Sequence, residues 1–481
     1  MKKTILATCI GCLSILSCRN DFLNLAPISS VNTQNFYKTA GDIELAVNAA
    51  YSTLQLAGQF SQGYWVVGET RSDNTFNFED GGNNDHVDLD LFRMASSNSI
   101  LSLIWVDYYR GIMACNVVLE RINGVTMENA LKERYIGEVS FLRALMYFNL
   151  VRIFGDVPLV LTETKSVEEG YSQGRIAANE VYSQIIQDLQ SAENKLPKTY
   201  SGALVGRATS GAAKAVLGKV YLTKKEYAAA QAKLKEVIDQ GTYSLLTDYA
   251  ALWNPANKNN AESVFEIQFK KGTTGTSSAF LSWFAPRNSG NSVTINGFAY
   301  GRNLPTEDLA KAYEANDLRK KSSLAEGYTN SSNVFVKDKY TLKFNDQPFT
   351  ANNYDNNWPY LRYADVLLMY AEATNEVNGG PNQLAYDQIN AVRKRAGLNP
   401  LPANLNKNTF ALALEHERQV ELAFEGHRWF DLVRTGRALE VMNAHFKGSV
   451  VLQSFQLLYP IPQSQIDINP DLIRQNPGHV L

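Results

Sequence analysis

The sequence predicts a mainly α-helical protein, a scaffold of helical hairpins that carries long irregular loops. Three observations predict it. Apolar residues recur at i, i+3 and i+4 over many segments, and short turns rich in Gly, Pro and polar residues separate them. Two long stretches, 270–302 and 328–359, escape that rhythm altogether. At 481 residues the chain is long enough to bury a sizeable core.

Taken in order, residues 1–17 stand apart from the fold. Lys2 and Lys3 precede an apolar run holding Ile5, Leu6, Ile10, Leu13, Ile15 and Leu16, the layout of a secretory signal. The run is too short to span a bilayer, and no other segment reaches about 18 uninterrupted apolar residues. Its end, Ile15-Leu16-Ser17-Cys18, resembles the bacterial lipobox. That resemblance implies diacylation of Cys18 as the mature N-terminus, with Arg19, Asn20 and Asp21 keeping the following chain in water; an ordinary cleaved signal is the alternative. Residues 23–39, with Pro27 and several Ser and Asn, form an extended lead-in.

Asp42 caps a first helix whose inward face is Ile43, Ala46, Val47, Ala50, Tyr51 and Leu54. Residues 74–84 are polar with paired glycines and form a loop. Helices follow over 101–122 and 135–154, the second stopped by Gly155 and Pro158. Another covers 178–196 and ends at Pro197. In the hairpin of 209–222 with 227–238, Leu217, Gly218, Tyr221 and Ala230 fall at tetratricopeptide spacing. Pairs at 101–123 with 133–154, 361–378 with 382–396, and 409–425 with 427–443 extend the hairpin pattern. Trp105 and Trp429 sit in these helical patterns and belong to the core.

Charge and motif content exclude several functions. With 46 basic and 48 acidic residues the net charge is −2, so no global field holds nucleic acid. Of Cys9, Cys12, Cys18 and Cys115, only the last lies in the body of the chain, on an apolar stretch that makes it a small buried hydrophobe. Neither a disulfide framework nor a cysteine zinc site can be built. Among His86, His416, His427, His445 and His479, only His416 precedes a Glu, and no second histidine follows at zincin spacing. No nucleophile elbow, phosphate loop or dinucleotide turn occurs. No catalytic residue, metal or cofactor is therefore assigned. Carboxylate pairs for glycoside hydrolysis have no fixed chain spacing, so a secreted glycan-active hydrolase stays as an alternative.

Residues 414–437, LEHERQVELAFEGHRWFDLVRTGR, read as two helices turning at Gly426. Arg418 and Glu421, Glu421 and Glu425, and Arg428 and Asp431 recur at helical spacing among apolar residues. Charges so placed leave water and must be paired, so these five form a structural ion network. Sugars need an aromatic face for their C–H bonds and polar partners for their hydroxyls. Trp283 and Phe284 beside Arg287 and Asn288, Trp358 beside Asn356 and Asn357, and Phe76 and Phe78 beside Asn74, Asn77 and Asp80 meet both needs. The ligand candidates are thus Trp283, Phe284, Trp358, Phe78, Phe76 and Asn77; the opposing reading is that each aromatic pins its own loop.

Three blocks carry a resemblance across residues 18–481. ERQVELAFEGHRWFDLVRTGRA, FLRALMYFNLVRIFGDVPLV and the ending LYPIPQSQIDINPDLIRQNPGHVL resemble the SusD/RagB family of nutrient-binding outer-membrane lipoproteins, although His479 stands where an aromatic is common. The resemblance implies one helical domain over 18–481, with an N-terminal part to about 240 and a C-terminal part from about 260. It implies a tetratricopeptide-like scaffold anchored by lipid in the outer membrane and facing the cell surface. It further implies a non-catalytic protein that captures an oligosaccharide, or less often a peptide, and hands it to a SusC-like TonB-dependent β-barrel transporter. A scaffold of tetratricopeptide type that binds no nutrient is the remaining alternative.

Overall fold

Eleven helices of eight residues or more organise the described chain. They are α1 Ala40–Ser52, α2 Ser99–Arg121, α3 Asn129–Phe154, α4 Ala178–Lys195, α5 Ser210–Thr223, α6 Tyr227–Gln240, α7 Tyr363–Val377, α8 Gln383–Arg395, α9 Lys407–Glu421, α10 Arg428–Thr435 and α11 Ala438–Phe446. The computed structural model describes residues 36–79, 81, 84–273, 276–295 and 297–479, so the signal segment and Cys18 lie outside the described residues. From α2 to α8 each helix packs on the next one in the chain, and α9 returns to α7. The protein is mainly helical, as its apolar periodicity predicts, and no described helix is long and apolar enough to cross a membrane.

Local chemistry explains the ends of these helices. Asp42 is the third residue of α1 rather than its cap: Thr39 caps the helix, and Asp42 returns the bond in a capping box. Helix α3 stops at Gly155, whose φ of 73° is open to glycine. From Tyr135 to Phe154 nearly every side chain of α3 is buried, because α2 and α4 cover it from two sides. Its buried Arg143 ties the three together, donating to both Asp188 carboxylate oxygens on α4 at 2.8 Å and to Asn116 Oδ1 on α2 at 2.8 Å. In the hairpin of α5 and α6, a Cβ on Gly218 would lie 2.6 Å from Leu234 Cγ, so only glycine lets the helices approach this closely.

Two expectations need correction. The helix expected over 427–443 breaks at Gly436, whose φ of 78° ends α10 and leaves α11 separate. Residues 358–362, expected to pass from the irregular stretch ending at 359 into a helix beginning at 361, are a strand. This β2, Trp358–Arg362, pairs antiparallel with β1, Ser263–Ile267, bringing Trp358 opposite Ile267. The main buried cluster runs from Ile43 to Ile473 and draws on both sides of the 240–260 interval. A smaller cluster of Leu368, Ile389, Phe410 and Leu414 fills the space between α7, α8 and α9.

Candidate functional site: an aromatic row on stitched loops

Backbone pairing draws the loops of 74–93, 270–302 and 328–359 together. Thr75–Phe76 pairs with Leu304–Pro305, the Phe78 N–H donates to Gly301 O at 2.8 Å, and Ser278 bridges Tyr354. Gly301 has φ of 65° and stands so close to the neighbouring loop that a Cβ would meet Phe78 Cβ at 2.9 Å. The Arg302 guanidinium closes the same junction on Phe78 O.

The short helix Phe280–Phe284 divides its aromatics between inside and outside. Phe284 is fully buried edge-on against Trp65, with ring centres 5.1 Å apart, whereas Trp283 is half-buried. From Trp283 a row of rings leads outward: Tyr300 at 4.5 Å, then Phe298 a further 6.4 Å on and 47% exposed. Inward, His86 lies 5.8 Å from Trp283 and stacks on Trp65 at 5.9 Å. Polar groups flank the row. Asn352 Nδ2 donates to the Tyr300 hydroxyl at 3.3 Å, and Gln62 Nε2 lies 2.7 Å from His86 Nε2. Such a row offers ring faces for C–H contacts and amides for hydroxyls.

Not every ligand candidate reaches this surface. Trp358 is fully buried, its ring stacked on Phe344 at 5.1 Å and 13°, because β2 pairs with β1 in the core. Phe284 is likewise enclosed. Asn77 spends its groups internally: its N–H donates to Asp90 at 2.9 Å, its Nδ2 to His86 O at 3.0 Å, and its Oδ1 accepts from the Asn303 N–H at 3.3 Å. These three hold the loops and are buried, whereas ligand contact was expected of them. Trp283 is half-buried in the row, Phe78 half-buried at the Gly301 junction, and Phe76 is 40% exposed beside it. Tyr300 and Phe298 belong with Trp283, and their spacing of two in an extended stretch was the available signal.

The charges of 414–437 are buried and paired, but with distant partners. Glu421 receives Arg362 Nη1 at 2.8 Å and Arg319 Nη1 at 3.0 Å, and Arg395 reaches it as well. Glu425 receives Arg362 Nε at 2.8 Å and Lys343 Nζ at 2.7 Å. Arg428 holds Asp73 at 2.8 and 2.9 Å instead of Asp431, and Arg418 holds Asp365 at 2.6 Å and Asp431 at 2.8 Å instead of Glu421. Burial by itself raises the Glu421 carboxyl, yet Arg395, Arg362 and Arg319 together hold it well below the usual carboxylate range. The same contest at Asp431 is won by Arg418 and Arg434. Among the described residues no group of three His, Cys, Asp or Glu is arranged to hold a metal ion.

Helices stacked in chain order, with an aromatic row on loops stitched above them, define a helical scaffold that presents its side chains on loops. Residues 319–479 match the SusD family, and residues 21–222 match a family described as "Starch-binding associating with outer membrane". The chain is thus similar to SusD-like proteins over most of its length. It is 29% identical to SusD-like protein P25 of Formosa agariphila over 96% of each chain. Among solved structures it resembles a laminarin binding SusD-like protein, with 29% identity, a TM-score of 0.80 and coverage of 92% of this chain and all of the other. A SusD superfamily protein from Parabacteroides distasonis matches with 29% identity and a TM-score of 0.81, over 94% of this chain and 100% of its own.

Proposed function

We propose that the protein is a cell-surface lipoprotein that binds an oligosaccharide nutrient and delivers it to a partner TonB-dependent outer-membrane transporter of SusC type. The observation that carries the binding half is the row Trp283–Tyr300–Phe298, half-buried at its base and exposed at its tip, with the Asn352 amide beside it. A sugar ring laid on these faces exchanges its hydroxyl partners from water to amides while its C–H face covers the rings. The starch-binding description of one matching family and the laminarin-binding neighbour support a carbohydrate over a peptide.

In this reading the protein is one domain beyond Cys18, with tetratricopeptide-like hairpins as its rigid frame, and Cys18 carries the lipid anchor. It acts by affinity and not by catalysis. Titrating purified protein against a panel of plant, algal and host oligosaccharides tests binding. Retention without product supports it, whereas release of shortened sugars would favour a hydrolase. Co-purification of a transporter-sized β-barrel tests delivery, and loss of acyl labelling in Cys18→Ala tests the anchor.

A further inference from the structure

A cavity of about 360 Å³ opens between α6, α7, α9 and α10 and shares no residue with the aromatic row. Beneath it runs a ladder of alternating charge. Lys219 Nζ holds Asp365 at 2.9 Å, Arg418 Nη1 holds Asp365 at 2.6 Å, and Arg418 Nε holds Asp431 at 2.8 Å. Arg434 Nε then holds Asp431 at 2.8 Å, and its Nη2 holds Glu372 at 2.8 Å. Three cations and three carboxylates cancel along this line. Arg418, only 4% exposed, lines the cavity, and its Nη2 is buried with no partner among the described residues. An orphaned guanidinium N–H is costly unless an acceptor reaches it.

A second donor stands in the same wall. Lys219 Nζ lies 3.0 Å from His427 Nδ1. The ammonium donates there, so the His427 proton resides on Nε2. Burial first, then the Lys219 charge, keeps this imidazole neutral by holding its pKa well below the ordinary histidine value. Glu415, which accepts from Arg437 Nε at 3.0 Å, and Glu372, which accepts from Arg434, keep further lone pairs on the other walls, while Leu414, Leu422 and Tyr227 supply apolar surface. An apolar occupant would leave Arg418 Nη2 unpaired. A net anion would meet a guanidinium already neutralised by two aspartates, with Glu372 behind them. A neutral molecule rich in hydroxyl and ring oxygens satisfies both donors, and its hydroxyls fit the lone pairs that the arginine-paired carboxylates keep.

We infer that the cavity between α6, α7, α9 and α10 is a second ligand site, for a neutral polyol of one or two sugar rings. Arg418 Nη2 and His427 Nε2 donate to it, and its hydroxyls donate to Glu415 and Glu372. Leu412 lines the cavity and is 50% exposed, so Leu412→Trp is chosen to fill cavity space without replacing a member of the ladder. The test titrates glucose, maltose and laminaribiose, with acetate as the anionic arm, into full-length protein carrying ring-labelled histidine. The His427 signals and the heat of binding are both recorded. Expected are a sugar-dependent shift of the His427 signals that survives Trp283→Ala/Tyr300→Ala and disappears in Leu412→Trp, with the melting temperature unchanged. The proposal is overturned if no sugar moves the His427 signals, if Leu412→Trp leaves the shift intact, or if acetate alone produces it. Loss of the aromatic-row site with the His427 shift retained supports both sites. Unchanged total binding in the Trp283→Ala/Tyr300→Ala protein speaks against the row alone.

Discussion

The Gly426 N–H donates to Glu69 Oε2 at 2.8 Å, although the two residues are 357 positions apart. The Phe424 N–H donates to Oε1 of the same carboxylate at 2.8 Å, and Asn74 Nδ2 joins it at 2.9 Å. The turn it holds is unusual, with Phe424 at φ 70° and Gly426 at 82°, and a Cβ on Gly68 would sit 2.3 Å from Gly426 O. One buried carboxylate thus clamps the elbow between α9 and α10 onto the N-terminal segment. Glu69→Ala orphans these donors at about 1–3 kcal/mol each. Chemical denaturation should show a large fall in midpoint, and Glu69→Gln, which keeps one acceptor, a smaller one. Equal midpoints for wild type and Glu69→Ala would refute the clamp.

Asp90 links stability to pH at the base of the aromatic loop. Burial pushes its carboxyl up to about 8, against the Asn77 N–H bond and the Arg93 charge. The folded state therefore keeps a proton that the unfolded chain releases near the ordinary value of 3.8. The stabilisation is full below that value, declines as pH rises, and is gone once pH passes the folded pKa near 8. Glu69, pushed up to about 7 by burial against its three N–H donors, adds a slope of the same sign. Melting temperature should fall from pH 5 to pH 9, and Asp90→Asn should flatten that fall while keeping an acceptor for Asn77. A wild-type profile that rises over this range would contradict the assignment.

Arg428 and Asp73 make a bidentate pair that is almost wholly buried. Arg428→Ala leaves that carboxylate unpaired and should cost about 3–5 kcal/mol. The expected readout is poor expression or a strongly lowered melting temperature, with no specific loss of ligand. A stable Arg428→Ala protein that no longer binds would instead place Arg428 in a binding site.

What the sequence made legible follows from the range of the interactions involved. Helix periodicity is local, so α2 is readable from its spacing around Trp105 and Tyr108, and α5 with α6 from Leu217, Gly218, Tyr221 and Ala230. The need to pair Arg418 and Arg428 was readable too, since both sit among apolar residues. Their partners were not: Arg428 reaches Asp73 across 355 positions and Arg418 reaches Asp365 across 53, distances about which i+3 and i+4 spacing says nothing. Trp358 misled for a related reason. A strand of five residues buried on every side carries no alternation, and Asn356 and Asn357 before it read as a wet loop. Its partner Ile267 is supplied by tertiary pairing. Inside Phe280–Phe284, adjacent Trp283 and Phe284 point to opposite environments, which one helical turn allows and composition does not reveal.

That contrast between neighbouring aromatics yields the sharpest test of the proposed binding surface. Trp283 borders Tyr300 and is half-buried, so its removal takes a ring face from the ligand and little from the core. Trp283→Ala should weaken oligosaccharide binding by about 1–3 kcal/mol, the scale of a lost anchoring contact. Tyr300→Ala should act in the same direction, and the two losses should not add, because both rings meet one sugar face. Trp358→Ala, which empties a site packed by Phe344 and Phe280, should instead cost about 3–5 kcal/mol of folding stability. Calorimetric titration and thermal melts on all three variants separate the roles. If Trp283→Ala melts far below wild type yet binds the same oligosaccharide equally well, the row is a staple for its loops and the sugar lies elsewhere.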